Sequence, residues 1–350
     1  MNESEIIKKI KEVLEKSKNP LYIIDDDTDG LCAYLLLKRY LKRGTCVVAR
    51  VSPEIGVGYM QFVQRFNPDI IVILDTSRLL QEFIDATKLP IVWIDHHEKQ
   101  KRTGEIYYYN PKVFGSEEYT PTTECCWNIV KQDMWIAGVG IISDWKIPPF
   151  MDKLVKEFPD LIKKTDDPGD IRFSMQFGKL DKIFNAIFKG ETQNLHKDIA
   201  LLESIQSPYE LINEEDKYKN IIEKYHNVQN EYQILLKQAL KETKKPGEFI
   251  IFKYKLTGEY AVTAMISEEL HYKFPDKMVI AAREKDGNYI ISLRATKGDI
   301  LPALHKSLEG TTGTGGGHPH ACGAFIPINQ FDDFLNVLKK EWLTQIEQLG

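Results

Sequence analysis

Short apolar runs of strand length alternate with stretches of helical periodicity through the first 150 residues. Residues 21–24, 46–51, 70–74 and 91–94 read as strands. Each is an almost unbroken apolar run, the pattern of a strand buried on both faces. Residues 31–41, 61–66 and 79–86 read as helices between them, after a charged amphipathic helix over 3–17 that stops near Asn19-Pro20. That alternation predicts a parallel sheet with helices on both faces. Two apolar helices follow, at 122–129 and 134–142.

From about 146 to 244 the strand patterns vanish and charge-rich helical segments take over, notably 215–243. Such charges read first as solvated helix faces, so this stretch is expected to be a helical connector. Strand patterns return after Pro246-Gly247, at 249–254, 278–283 and 289–294. Asp286-Gly287-Asn288 between the last two is a hairpin signal. A helix at 301–308 precedes a glycine-rich segment. The expected architecture is α/β. A parallel-sheet domain with flanking helices spans 1–150, a helical connector 151–245, and a smaller α/β domain 246–350.

Composition narrows the class. A chain of 350 residues with 43% hydrophobic and 28% charged residues has room for two cores. The net charge of −5 argues against a general basic coat for nucleic acid but not against a local groove. Five cysteines without zinc-like spacing read as reduced thiols. No apolar run approaches membrane-spanning length, and the N-terminus does not read as a signal peptide. The expectation is a cytoplasmic protein with no membrane contact.

The chemistry concentrates at strand ends. The first run delivers Asp25-Asp26-Asp27-Thr28-Asp29-Gly30, the third delivers Asp75, and the fourth delivers Asp95-His96-His97; Asp144 follows the apolar helix at 134–142. Ligands of open parallel sheets bind outside the carboxyl ends of the strands. Acidic clusters gathered there repel one another unless cations hold them, and carboxylates with imidazole suit Mn²⁺, Mg²⁺ or Zn²⁺. Asp25, Asp27 and Asp29 alternate so that they converge, with Gly30 relieving the turn. Asp75 is placed to bridge two ions. His96 offers an imidazole ligand that Asp95 orients, while His97 points the other way toward a substrate phosphate. A lone Asp at a strand end is most often a helix N-cap; it is the set in this order that argues for a two-metal hydrolytic centre.

The second signal is Gly313-Thr314-Gly315-Gly316-Gly317-His318-Pro319-His320-Ala321-Cys322-Gly323. Gly315, Gly316 and Gly317 let backbone N–H groups approach an anion, and His318 donates to a phosphate or terminal group. Arg294, closing the strand at 289–294, offers a bidentate fork.

The motifs DDDTDG (25–30), LDTS (74–77), DHH (95–97), GIISD (140–144) and GTGGGHPHACG (313–323) resemble those of DHH-family phosphoesterases with the DHH-associated C-terminal domain, in family order. The spaced-acid first motif is similar to the RecJ-like exonuclease branch of archaeal type. The resemblance implies a catalytic DHH domain with two Mn²⁺ or Mg²⁺ ions held by Asp25, Asp27, Asp29, Asp75, His96 and Asp144. Asp75, Asp95, His96 and His97 become the catalytic set, and His97, Arg294, Gly315, Gly316, Gly317 and His318 the substrate contacts. Ile23 stands where many members place a histidine, so Asp25 takes that ligand's place. The implied function is an exonuclease releasing mononucleotides from single-stranded DNA or RNA or from short oligonucleotides. With no room after Gly323 for an added oligonucleotide-binding barrel, either short substrates or a replication or repair partner is expected. The alternatives are a small-molecule phosphodiesterase or phosphatase, acting on a cyclic dinucleotide or phosphoadenosine phosphate, and a catalytically decayed replication-helicase scaffold.

Overall fold

The computed structural model describes residues 2–50, 54–191, 193–244, 246–256 and 258–349, in two compact units, 1–225 and 226–350. The first holds five parallel strands: β1 (Pro20–Ile24), β2 (Thr45–Val48), β3 (Ile70–Leu74), β4 (Ile91–Ile94) and β5 (Ile106–Tyr109). Their spatial order is β2-β1-β3-β4-β5. The chain therefore leaves β1 toward β2 and then crosses to the other side of β1 for β3. The β1/β3 boundary is a topological switch point, where open α/β sheets bind ligands.

Both faces of this sheet are covered, which is why its strands are continuously apolar. Tyr22, Ile24, Val72, Leu74, Val92 and Ile94 face one core, shared with helices α1 (Glu3–Lys16) and α2 (Thr28–Leu41). Leu21, Ile23, Ile71, Ile73, Ile91 and Trp93 face the other, with α3 (Met60–Phe66) and α4 (Gln81–Thr87). Helices α5 (Thr122–Val130) and α6 (Met134–Ser143) join the first core.

Gly140 in α6 marks a close crossing of α6 with α2 and α5. A Cβ there would stand 2.2 Å from Thr123 Oγ1 and 2.6 Å from Cys32 Cβ. Thr123 cannot swing aside freely, because its hydroxyl is bonded to the Asp29 carbonyl at 2.9 Å. Gly140→Ala is expected to destabilise the chain by roughly 2–3 kcal/mol, as overpacked cores do. A lower denaturant midpoint at constant slope would register it; an unchanged midpoint would refute this account of the crossing.

The expected connector is not a separate element. Residues 151–212 form short helices whose apolar side chains, among them Leu154, Ile171, Phe184 and Ile199, are buried in the first unit's main core, as is Ile221 at the start of the long helix that follows. The boundary between units falls inside the helix Lys219–Glu242. All five cysteines are buried free thiols, and no helix among the described residues is long and apolar enough to cross a membrane.

The second unit is a five-stranded sheet of β6 (Phe249–Lys255), β7 (Met278–Lys285), β8 (Asn288–Arg294), β9 (Thr314–His318) and β10 (Ala321–Pro327), ordered β6-β7-β8-β10-β9. Only β6 and β7 pair in parallel. Asp286 and Gly287 both have positive φ, the two-residue turn that the hairpin signal predicts. Helices Ile300–Leu308 and Phe331–Leu349 cover one face, and Thr263–Lys273 packs on β7 and β8. The glycine segment differs from the expected loop cradle: Gly315, Gly316 and Gly317 lie in β9, an edge strand paired to β10. Glycine carries no side chain to print a strand's alternation on the sequence, so the pattern is silent there.

Candidate metal centre

Three adjacent strands end in acid. Asp25 N–H donates to the Leu74 carbonyl (3.3 Å), Asp75 N–H to Ile94 (3.0 Å) and Asp95 N–H to Tyr109 (3.1 Å), so the ladder runs on into the functional loops. Seven of the expected residues come together as three overlapping groups: Asp25-Asp27-Asp75, Asp75-His96-His97 and Asp29-His96-Asp144. Within each, one ligand atom per residue lies within 4.8 Å of the others. Asp75 and His96 each belong to two groups. His96 Nε2 stands 3.3 Å from Asp75 Oδ1, and its Nδ1 stands 3.7 Å from Asp144 Oδ2.

Each acid has a local reason for its place. Asp27 is the N-cap of α2, accepting the Gly30 N–H at 2.9 Å, so the capping and site readings coincide in one side chain. Asp29 accepts the N–H groups of Thr122 (2.8 Å) and Thr123 (2.9 Å), one on each oxygen, and so ties α2 to the start of α5. A carboxylate has about four lone-pair sites, which leaves capacity for a cation. Asp75 sits at φ +59°, a left-handed conformation that Asp tolerates better than most residues. Thr122 Oγ1 donates to its Oδ1 at 2.9 Å. Asp144 follows α6 as its C-cap and accepts from Tyr119 OH at 2.6 Å.

Asp95 does not orient His96 as expected. Its Oδ1 pairs with His97 Nδ1 at 2.7 Å. Residues two apart on extended chain share a side, so Asp95 and His97 are natural partners. His97 also stands 4.0 Å from Asp75 Oδ1, within the ligand cluster rather than pointing away from it. Thr122, Thr123 and Tyr119 were not expected here; the hydroxyl-rich run Tyr119-Thr120-Pro121-Thr122-Thr123 before an apolar helix was the available signal.

The electrostatics test whether divalent cations fit. Burial, reinforced by Asp27, raises the Asp25 carboxyl to about 7. Burial likewise raises Asp27, and it raises Asp29 and Asp75 well above the usual carboxylate range, with neighbouring acids adding to the effect. Burial alone would lower His97, but the hydrogen bond to Asp95 and the negative charges of Asp95 and Asp75 together outweigh it and raise the imidazole. Carboxylates this close want a positive charge among them, and a set of oxygens with one or two imidazoles suits Mn²⁺ or Mg²⁺. The residues present fit such ions.

In the second unit, cross-strand register places Arg294, Ala321 and His318 in one row across β8, β10 and β9. Paired residues share a face, so Arg294 and His318 stand on the same side, about 10 Å apart by strand spacing. The next row, Ser292-Gly323-Gly316, is nearly bare: a Cβ on Gly316 would meet nothing within 4 Å, and one on Gly323 nothing closer than 3.8 Å. The third row carries Phe325, 43% exposed. The Arg294 fork is already engaged, with Ser292 Oγ at 3.0 Å and Glu268 Oε1 at 3.1 Å, so an anion reaching it must share the guanidinium with Glu268.

Comparison with known proteins agrees with this anatomy. The DHH family N-terminal domain matches residues 21–149 and the DHHA1 domain matches 247–343. RecJ from Thermus thermophilus, in complex with Mn²⁺, superposes with a TM-score of 0.68 at 14% identity over 97% of this chain and 54% of its own. This chain thus spans about half the length of that RecJ. A manganese-bound exonuclease RecJ gives 0.61 at 14% identity, over 98% of this chain and 94% of its own. The pGpG-specific phosphodiesterase PggH from Vibrio gives 0.52 at 15% identity, over 94% and 100%. No curated protein sequence matches. The chain belongs to the DHH family, with a DHH N-terminal domain followed by a DHHA1 domain.

Proposed function

We propose that the chain is a Mn²⁺-dependent phosphodiesterase that hydrolyses single-stranded DNA or RNA, or short oligonucleotides, to mononucleotides, with replication or repair proteins as partners. DHH-family members are metal-dependent phosphoesterases. The observation that carries the reading is the junction of ligand groups through Asp75 and His96 at the β1/β3 switch point. When bound, two divalent cations supply Lewis-acid charge and a lowered pKa for water. The chain's residues do the positioning. Asp75 is steadied by Thr122 and Asp144 by Tyr119. Asp95 pairs with His97 Nδ1 and, with Asp75, raises the imidazole, which favours its charged form beside the site where phosphate charge develops. In the DHHA1 domain, Arg294 and His318 are proposed to grip a phosphate.

The exposed Phe325, on the Arg294 face, favours a substrate that carries bases. Phe325→Ala is expected to raise KM for oligonucleotides by a factor of about 5–100, the worth of one stacked base, and to leave hydrolysis of bis(p-nitrophenyl) phosphate unchanged. His318→Ala should also act mainly on KM. Equal KM values in both variants would remove the second domain from substrate capture.

The second reading, a dinucleotide-specific phosphodiesterase, is favoured by the match to PggH over that protein's whole length. Mn²⁺-dependent digestion of end-labelled DNA and RNA, from dinucleotides to long strands, separates the two. Stepwise mononucleotide release supports the exonuclease; cleavage confined to dinucleotides supports the second reading; no cleavage of either refutes both.

A further inference from the structure

The helices beyond the matched DHH segment reach back to the metal centre through one buried ion pair. Arg172, on the helix Pro168–Ser174, and Asp181, on the helix Gly178–Ala186, pair through Nε and Oδ2 at 3.0 Å. Both are buried. The other oxygen of Asp181 accepts from Thr28 Oγ1 at 3.0 Å. Thr28 lies between Asp27 and Asp29 and begins α2. The Arg172 guanidinium lies over the Trp145 ring, 4.8 Å from its centre. Trp145 directly follows Asp144 and holds φ +60°, a left-handed conformation that a bulky residue keeps only when its surroundings impose it. Phe173 packs against the same indole, with centroids 6.1 Å apart.

We propose that Arg172 and Asp181 are positioning residues for the metal centre. One ion pair grips the loop of Asp25, Asp27 and Asp29 through Thr28, and the Asp144 loop through Trp145, and so sets the spacing between them. A buried ion pair contributes little net stability compared with apolar side chains of similar volume, so its value here lies in geometry. Arginine suits both tasks, since it donates in the plane of the guanidinium while stacking its face on an indole. The inference rests on the metal-centre reading and extends it to residues outside the matched DHH segment.

The test is Mn²⁺ titration calorimetry on the full chain, beside the melting temperature of the metal-free protein. Thr28→Val keeps shape and volume and removes only the hydroxyl. It is expected to lower the melting temperature by a few degrees, because the buried Asp181 Oδ1 loses its donor, and to weaken Mn²⁺ binding by about 10-fold or more, the usual effect of losing an outer partner of a metal site. Arg172→Lys keeps the charge but not the fork or the stacking face, and should weaken Mn²⁺ to a similar degree. If Arg172→Lys melts early, Thr28→Val decides alone. Unaltered affinity in Thr28→Val overturns the clamp while leaving the metal centre intact. Failure of the unaltered chain to bind Mn²⁺ overturns both.

Discussion

Asp75→Asn is expected to abolish turnover while leaving a folded chain. Asp75 is the one carboxylate shared between the groups with Asp25 and Asp27 on one side and His96 and His97 on the other. It is almost fully buried, at 2% exposure. Asparagine keeps the left-handed backbone that φ +59° demands, as well as an oxygen to accept from Thr122 Oγ1. It lacks the charge to serve two cations. The expected loss is on the order of 10³-fold or more, or about 4 kcal/mol of barrier. Asp75→Ala is a poorer experiment, because it adds roughly 1–2 kcal/mol of backbone strain and strands the Thr122 hydroxyl. Turnover in Asp75→Asn within about tenfold of the unaltered chain, at saturating Mn²⁺, would refute the role given to Asp75.

Where the sequence spoke clearly, side-chain chemistry and strand ends coincided. Ile70–Leu74 and Ile91–Ile94 are buried on both faces, so their apolar runs stop where polar function begins, and Asp75 and Asp95 mark the stops. Tyr107 and Tyr108 in Ile106–Tyr109 are half-buried and give no such contrast, so that edge strand is not legible in the sequence. The short helices between 151 and 212 read as a connector in the sequence because their charged faces dominate the composition. Their apolar faces declare themselves only by packing on the first core. The site divides in the same way. Asp27, Asp75, His96 and Asp144 are visible as motifs, whereas Thr122 on Asp75 and Asp181 on Thr28 are partners separated by 47 and 153 residues. No periodicity reports such pairs. The pairing of Asp95 with His97 was available from strand alternation, since residues two apart share a side.

Mn²⁺ is expected to stabilise the first unit strongly at pH 8 and weakly at pH 5. Burial raises the folded-state carboxyls of Asp25, Asp27, Asp29 and Asp75, Asp25 to about 7, whereas an unfolded Asp titrates near 3.9. With no metal, the folded chain therefore holds more protons than the unfolded chain between those values. Its stability from these groups is fully present below the unfolded pKa and is lost as pH rises through the folded ones. The metal-free protein should accordingly melt lower at pH 8 than at pH 5. Metal reverses the sign, because ligands must shed their protons to bind it and affinity grows with pH. At a free concentration of 100 Kd each site adds about 2.7 kcal/mol. Two sites then raise Tm by on the order of 10–20 °C, at about 2–4 °C per kcal/mol for a unit of this size. His97, raised by Asp95, stays protonated to higher pH and delays the gain without changing its direction. Melting curves in chelator and in Mn²⁺ across pH 5–8 decide the matter. A stabilisation that is flat with pH, or larger at pH 5, would mean that the buried carboxylates are not what holds the metal.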